Sequence, residues 1–257
     1  MKILVCLKHV PAVEPEIVEG SVREEGLVHE VNEADLYVLE AAFEQRGARG
    51  ATITAVTVGS RRAVDALYVA YARGVDEAIH VDGGAEGCDA AAATTAVAVL
   101  ARRRGFDLIL TGVQASDDQA GEFGIAVAWQ LGIPVVTAVV GLDADPDRAT
   151  ARVRREVGNG RLHEIETRMP CLLTIQTGIH PLRYTPIMAL LKARRRALET
   201  IALESLVGGT GPAATIRHAE TLGVYKPEAS SNCEILPLPA PQAAARLLEE
   251  LQQEGVI

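Results

Sequence analysis

Short runs of β-forming residues alternate with amphipathic helical patterns through the first half of the chain, and a glycine follows each helix. Residues 3–7, 52–58, 78–81, 108–111 and 134–140 read as strands, and residues 34–46, 61–73, 89–104 and 120–131 repeat their apolar side chains at three and four positions. Gly47, Gly50, Gly74, Gly105 and Gly132 fall just past those helical segments, where a left-handed cap favours a residue without a Cβ. Alternation at this spacing feeds a parallel sheet covered by helices. The expected fold is α/β: doubly wound, with a mainly parallel sheet and helices on both faces.

Beyond Gly141 the pattern changes. Residues 149–157 and 161–168 alternate in polarity around Gly158, Asn159 and Gly160, which tolerate positive φ and predict a hairpin. Residues 171–176 are apolar enough for a strand inside the sheet. Residues 205–241 are rich in Gly, Pro and Ser and lack periodicity, which predicts an extended arm, and residues 242–253 form a last helix with Ala and Leu opposite Arg246, Glu249 and Glu250. The division expected is an α/β domain over 1–200 and an arm with a terminal amphipathic helix over 201–257, the arm lying on its own domain or on another subunit.

Composition removes several classes of function. The chain has 25 basic and 34 acidic residues among 257, a net charge of −9 that argues against a protein built to hold bare nucleic acid. Aromatic residues are 4%, so the core must be Ala, Val, Leu and Ile, and few rings are left to stack bases. Cys6, Cys88, Cys171 and Cys233 stand far apart without histidines at ligand spacing, which excludes a zinc site or a disulfide framework. The apolar run at the amino terminus is broken by Lys8, and no stretch approaches the roughly 18 to 20 apolar residues that span a bilayer. The expected location is the cytoplasm, or an organellar matrix, without membrane insertion.

In an open α/β sheet, ligands bind outside the carboxyl ends of the strands. There the loop TGVQASDDQAGEFG carries Gly112, Ala115, Ser116, Ala120 and Gly121, which permit close backbone approach, and its free N–H groups before the next helix suit a phosphate. Asp117 and Asp118 either cap that helix or orient ribose hydroxyls; the competing reading of the whole loop is a plain helix entry. Asn32, with Asp35 three positions on, reads as a helix cap whose amide is also able to meet an adenine edge or a ribose. The exit of the first strand, Cys6-Leu7-Lys8-His9-Val10-Pro11, lacks the dinucleotide G-x-G-x-x-G fingerprint, and there is no G-x-x-x-x-G-K-[ST] loop and no G-x-S-x-G elbow. The residues describe a nucleotide-shaped crevice without a set of acid, base and nucleophile.

The ordered segments MKILVCLKHVP, VNEADLYVLEAAFE, TAVTVGS, YARGVDEAIHVD, DLILTGVQASDDQAGEFG, MPCLLTI and LRYTPIMALLKARRR resemble the small (beta) subunit of electron transfer flavoproteins, from Met1 to about Ile201. The resemblance implies a heterodimer with a larger alpha subunit, whose FAD shuttles electrons between a flavin-dependent dehydrogenase of acyl-CoA type and an acceptor such as a quinone reductase. It implies an electron carrier rather than a free-standing enzyme. The small subunit would hold an adenine nucleotide, AMP in ordinary members and a second FAD, accepting hydride from NADH, in bifurcating ones. Carried over residue by residue, the cofactor site would comprise Cys6, then Asn32, Glu33, Ala34 and Asp35, then Val58, and then the loop Gly112, Val113, Gln114, Ala115, Ser116, Asp117, Asp118, Gln119, Ala120, Gly121, Glu122, Phe123 and Gly124 with Val127. The family commonly has Asn-Pro-aromatic where this chain has Asn32-Glu33-Ala34, and Lys or Arg where Val113 stands, which leaves the phosphate contacts open.

The resemblance also implies a dehydrogenase-docking loop. Ile187 aligns with the family's hydrophobic anchor, beside Met188 and ahead of Lys192, Arg194, Arg195 and Arg196. An apolar plug in a charged surround gives a short-lived but steered complex. The competing reading makes Ile187, Met188, Leu190 and Leu191 a core helix face with a solvated basic end. Rivals for the whole chain are a nucleotide-dependent enzyme or stress-type nucleotide-binding module of similar fold, and a structural subunit with an empty crevice.

Overall fold

The computed structural model describes residues 1–23, 25–84, 88–207, 222–226, 233 and 235–256. Strands β1 (Lys2–Cys6), β6 (Thr52–Gly59), β7 (Glu77–Asp82), β8 (Leu108–Gly112), β9 (Val135–Asp145), β10 (Thr150–Glu156), β11 (Leu162–Arg168), β12 (Cys171–Ile175) and β13 (Glu199–Ala202) form one sheet in the order β11-β10-β9-β12-β8-β1-β6-β7-β13. Pairing is parallel along the sheet from β9 through β12, β8, β1, β6 and β7 to β13, while β10 pairs antiparallel with both β9 and β11 at one edge. Four short strands, β2 (His9–Pro11), β3 (Ile17–Val18), β4 (Ser21–Val22) and β5 (His29–Val31), make two separate hairpin-like pairs.

The chain begins in the middle of the sheet, builds outward through β6 and β7, and then crosses β1 to place β8 on its other side. The direction of growth therefore reverses between β1 and β8. Helices α1 (Glu33–Arg49) and α2 (Val64–Arg73) cover one face, and α3 (Ala90–Arg104) and α4 (Phe123–Leu131) cover the other. The two-residue period of a strand sorts β1 between them: Ile3 and Val5 pack with α1 and α2, Leu4 and Cys6 with α3 and α4. Burial on both faces explains why β1, β8 and β12 are unbroken apolar runs. Among the described residues no helix is long and apolar enough to cross a membrane.

Several boundaries differ from the sequence reading. Helix α1 runs through Gly47 to Arg49, and Gly50, at φ 66°, is its left-handed end; Gly74 and Gly132 close α2 and α4 in the same way. The expected helix 120–131 starts only at Phe123, because Ala120 N–H goes to Asp118 and Gly121 turns the chain at φ 65°. Gly158, Asn159 and Gly160 all have positive φ, as the hairpin turn requires. Strand β9 continues past Gly141 and accommodates a bulge at Ala138, whose N–H donates to Thr174 Oγ1 at 3.1 Å.

Strand β13 was not anticipated. Only four residues long and mostly exposed, it gives little periodic signal, and its place is fixed by pairing with β7. The expected division at residue 200 falls inside it. Helix α6 (Leu203–Val207) follows and buries Leu203 and Leu206 against α3, so Ser205 belongs to the sheet body rather than to an arm. Of the expected arm, residues 208–221, 227–232 and 234 lie outside the described residues. The last helix, α7 (Ala240–Gln253), starts two residues before the expected position, carries Pro241 in its first turn and has no buried residue.

Candidate functional site

A crevice of about 430 Å³ opens at the carboxyl ends of β1 and β8, where the order of the sheet reverses. This is the position that doubly wound folds use for ligands, and the volume is at the small-ligand end of the range for cofactor sites. Four pieces of chain line it: the exit of β1 with Cys6 and Lys8, the start of α1 with Asn32 and Asp35, the loop after β8, and the start of α3 with Cys88 and Asp89.

Asn32 holds the loop. It stands at the cap position of α1, and its backbone carbonyl accepts from Asp35 and Leu36, but its side chain does not cap the helix. Instead Nδ2 donates to Gln114 O at 3.0 Å, and Oδ1 accepts from Ser116 N–H at 3.1 Å. The capping expectation is corrected accordingly. With the side chain buried and both ends of its amide engaged, Asn32 shapes the crevice wall rather than presenting a free edge to a base.

Asp35 performs the matching task one turn later. Its Oδ2 accepts from Lys8 N–H at 2.7 Å and its Oδ1 from Gly112 N–H at 3.2 Å, joining α1 to the ends of β1 and β8. Burial pushes the carboxyl up to about 7, against the pull of those N–H groups and of Asn32. Gly112 is required by this contact: a Cβ there would lie 2.3 Å from Asp35 Oδ1 and 3.0 Å from Ala34 Cβ.

Asp117 and Asp118 neither cap α4 nor stand unpaired. Lys8 Nζ donates to Asp117 Oδ1 at 2.7 Å and Asp118 Oδ2 at 2.8 Å. Burial tends to raise the Asp118 carboxyl, but the hydrogen bond and charge of Lys8 together with backbone N–H donors, Ala120 among them, outweigh it and the group sits below its usual range. Burial likewise opposes the charge on Lys8, and the two aspartates overcome that, holding the ammonium above its ordinary value. Burial pushes the Cys6 thiol well up and raises that of Cys88 to about 11, so both are protonated apolar lining rather than nucleophiles.

Most residues singled out from the sequence converge here. Cys6, Asn32, Asp35, Val58, Gly112, Val113, Gln114, Ala115, Asp117, Asp118, Ala120, Gly121, Glu122 and Phe123 line the crevice. The remaining ones stand behind or outside it. Glu33 and Gln119 are exposed, Ala34 is buried beneath Gly112, and Ser116 contributes its backbone N–H to Asn32. Gly124 lets α4 approach the sheet, since a Cβ would lie 2.6 Å from Thr111 Oγ1, and Val127 is buried between α4 and its neighbours. Sequence reasoning missed Lys8 and the start of α3. Lys8 is a cation directly past the first strand, a usable signal; Cys88 and Asp89 precede a helix that reads only as sheet cover, although Asp89 Oδ1 caps it through Ala92 N–H at 2.8 Å.

A second feature lies away from the crevice. Helix α5 (Ile187–Ala193) buries only Ala193, while Ile187 is 71% and Met188 74% exposed, so the core-helix reading of this segment does not describe the fold. Both flanks of α5 are fixed. Before it, Arg183 pairs with the buried Glu40 at 2.7 Å and lies over the Phe43 ring, and Arg73 holds the other oxygen of Glu40 at 3.1 Å. After it, Arg196 lies 3.7 Å above the Tyr71 ring and donates to Asp76 O, and Arg194 pairs with Asp65.

Fold and site define a doubly wound α/β domain with a crevice at its switch point and a separate exposed apolar helix. The family model of the electron transfer flavoprotein domain matches residues 20–206. The chain is 32% identical over 216 residues to the electron transfer flavoprotein subunit beta of Methylophilus methylotrophus, covering 80% of this chain and 81% of that one. Over the full length of both chains it is 28% identical to the electron transfer flavoprotein subunit beta of Clostridium acetobutylicum and 28% identical to the caffeyl-CoA reductase-Etf complex subunit CarD of Acetobacterium woodii. The chain belongs to the electron transfer flavoprotein family, as a beta subunit.

Proposed function

We propose that this chain is the small subunit of a heterodimeric electron carrier, that its crevice holds AMP, and that α5 docks a flavin-dependent dehydrogenase of acyl-CoA type. The observation that carries the reading is the crevice itself, a small-ligand volume at the switch point whose loop is shaped by Asn32, Asp35 and Gly112. A crevice of about 430 Å³ lies within the range of small-molecule sites and suits a mononucleotide.

The redox chemistry would be supplied by FAD, held chiefly by the alpha subunit. This chain's own part is to bind and brace. Small residues at 112, 115 and 121 admit a ligand against the backbone, Asn32 fixes the loop that covers it, and Cys6, Val56 and Val97 give the crevice an apolar floor. Ile187 and Met188 provide apolar contact, and Lys192, Arg194 and Arg195 surround it with positive charge on an otherwise acidic chain, which steers an acidic partner. Because α5 is tied at both flanks, docking would order little chain on binding. An electron carrier needs a cofactor in a dry site rather than an acid–base pair.

Copurification followed by an electron-transfer assay tests the reading. The chain should come out of cells with a larger flavin-containing subunit, and the complex should be reduced by an acyl-CoA dehydrogenase with its substrate. A chain that purifies alone and hydrolyses a nucleotide would instead be an enzyme of similar fold.

A further inference from the structure

Lys8 is the single basic residue lining the crevice among the described residues, and it faces Asp35, Asp89, Asp117, Asp118 and Glu122. Its backbone is fixed, with the N–H on Asp35 and the carbonyl accepting from Asn32 N–H at 2.9 Å. Its side chain is 42% exposed and spends two of the three ammonium protons on Asp117 and Asp118. What it holds is an exposed turn in which Gln119 adopts φ 50°. A phosphate entering this crevice meets a wall of carboxylates unless Lys8 turns from the aspartates towards it. Ion pairs between half-exposed groups are weak, and a phosphate offers the ammonium charge-assisted acceptors of its own.

The geometry points to Lys8 as the residue that selects phosphate-bearing adenine nucleotides over the nucleoside, with Asp117 and Asp118 occupying the ammonium until a phosphate displaces them. The inference rests on the crevice being an adenine-nucleotide site and adds to it the discriminating cation and a built-in competitor. The exchange forms and breaks no covalent bond. It leaves the two aspartates to solvent and frees the turn they belong to, so phosphate binding and loosening of residues 117–122 occur together.

Equilibrium binding of AMP and of adenosine to the nucleotide-free heterodimer tests this, using Lys8→Gln, Lys8→Arg and Asp118→Asn. Lys8→Gln should weaken AMP by about tenfold or more and leave adenosine unchanged, Lys8→Arg should keep AMP within about threefold, and Asp118→Asn should tighten AMP several-fold without affecting adenosine. An AMP-to-adenosine preference that is the same in Lys8→Gln and the unaltered protein overturns the assignment. If the unaltered protein binds neither ligand, the crevice reading itself fails and the Lys8 assignment falls with it, an outcome distinct from a preserved preference.

Discussion

Gly112 N–H donates to Asp35 Oδ1, and the same oxygen lies 2.3 Å from where a Cβ on residue 112 would be. One contact thus fixes both the residue type at the end of β8 and the approach of α1 to the crevice. Gly112→Ala should force the two elements apart, costing about 1–3 kcal/mol of stability, and should lower the nucleotide retained on purification. Thermal unfolding and nucleotide release measure both; retention of full nucleotide content would put the ligand elsewhere.

Asn32→Ala removes two hydrogen bonds to the loop and leaves Gln114 O and Ser116 N–H to find new partners. Holding the loop should become less favourable by about 1–3 kcal/mol. Amide hydrogen exchange should accelerate across residues 112–121 while β1 and β6 remain protected. Equal acceleration throughout the sheet would mean that Asn32 acts on the whole domain instead.

Asp35 makes stability depend on pH in a defined direction. Its carboxyl is raised from 3.8 to about 7, so the folded chain holds this proton more tightly than the unfolded chain. The stabilisation is complete below the unfolded value and is lost as pH rises through about 7, with a slope approaching about 1.4 kcal/mol per pH unit. Urea unfolding of the wild type should therefore weaken relative to Asp35→Asn across that window as pH rises. A difference between the two chains that does not vary with pH contradicts this.

Ile187→Ala truncates an exposed residue that supports nothing in the core. Reduction by the dehydrogenase should slow by about tenfold through KM, with nucleotide content and unfolding unchanged. An unaltered rate removes the docking role of α5.

The α/β architecture was legible because local signals agree with the global fold. The apolar strands are buried on both faces, and Gly50, Gly74 and Gly132 sit where their left-handed φ ends a helix. Most of the crevice lining was legible for the same reason, since a loop after a central parallel strand must face it. What the sequence concealed depends on contacts between distant segments. Asn32 reads locally as a cap, and only the fold brings it to Ser116; the Asp117-Asp118 pair reads as a helix entry until Lys8, more than a hundred residues earlier, is placed against it. Strand β13 is set by its pairing with β7, and the pinning of α5 by Glu40 depends on a helix lying far back in the chain.

A beta subunit that carries a mononucleotide in its switch-point crevice, beside a flavin held chiefly by its partner, should release both in fixed proportion. Denaturing the copurified heterodimer and separating what it releases counts both. One FAD and one AMP per heterodimer is the predicted result; two FAD, or FAD with no AMP, would contradict it.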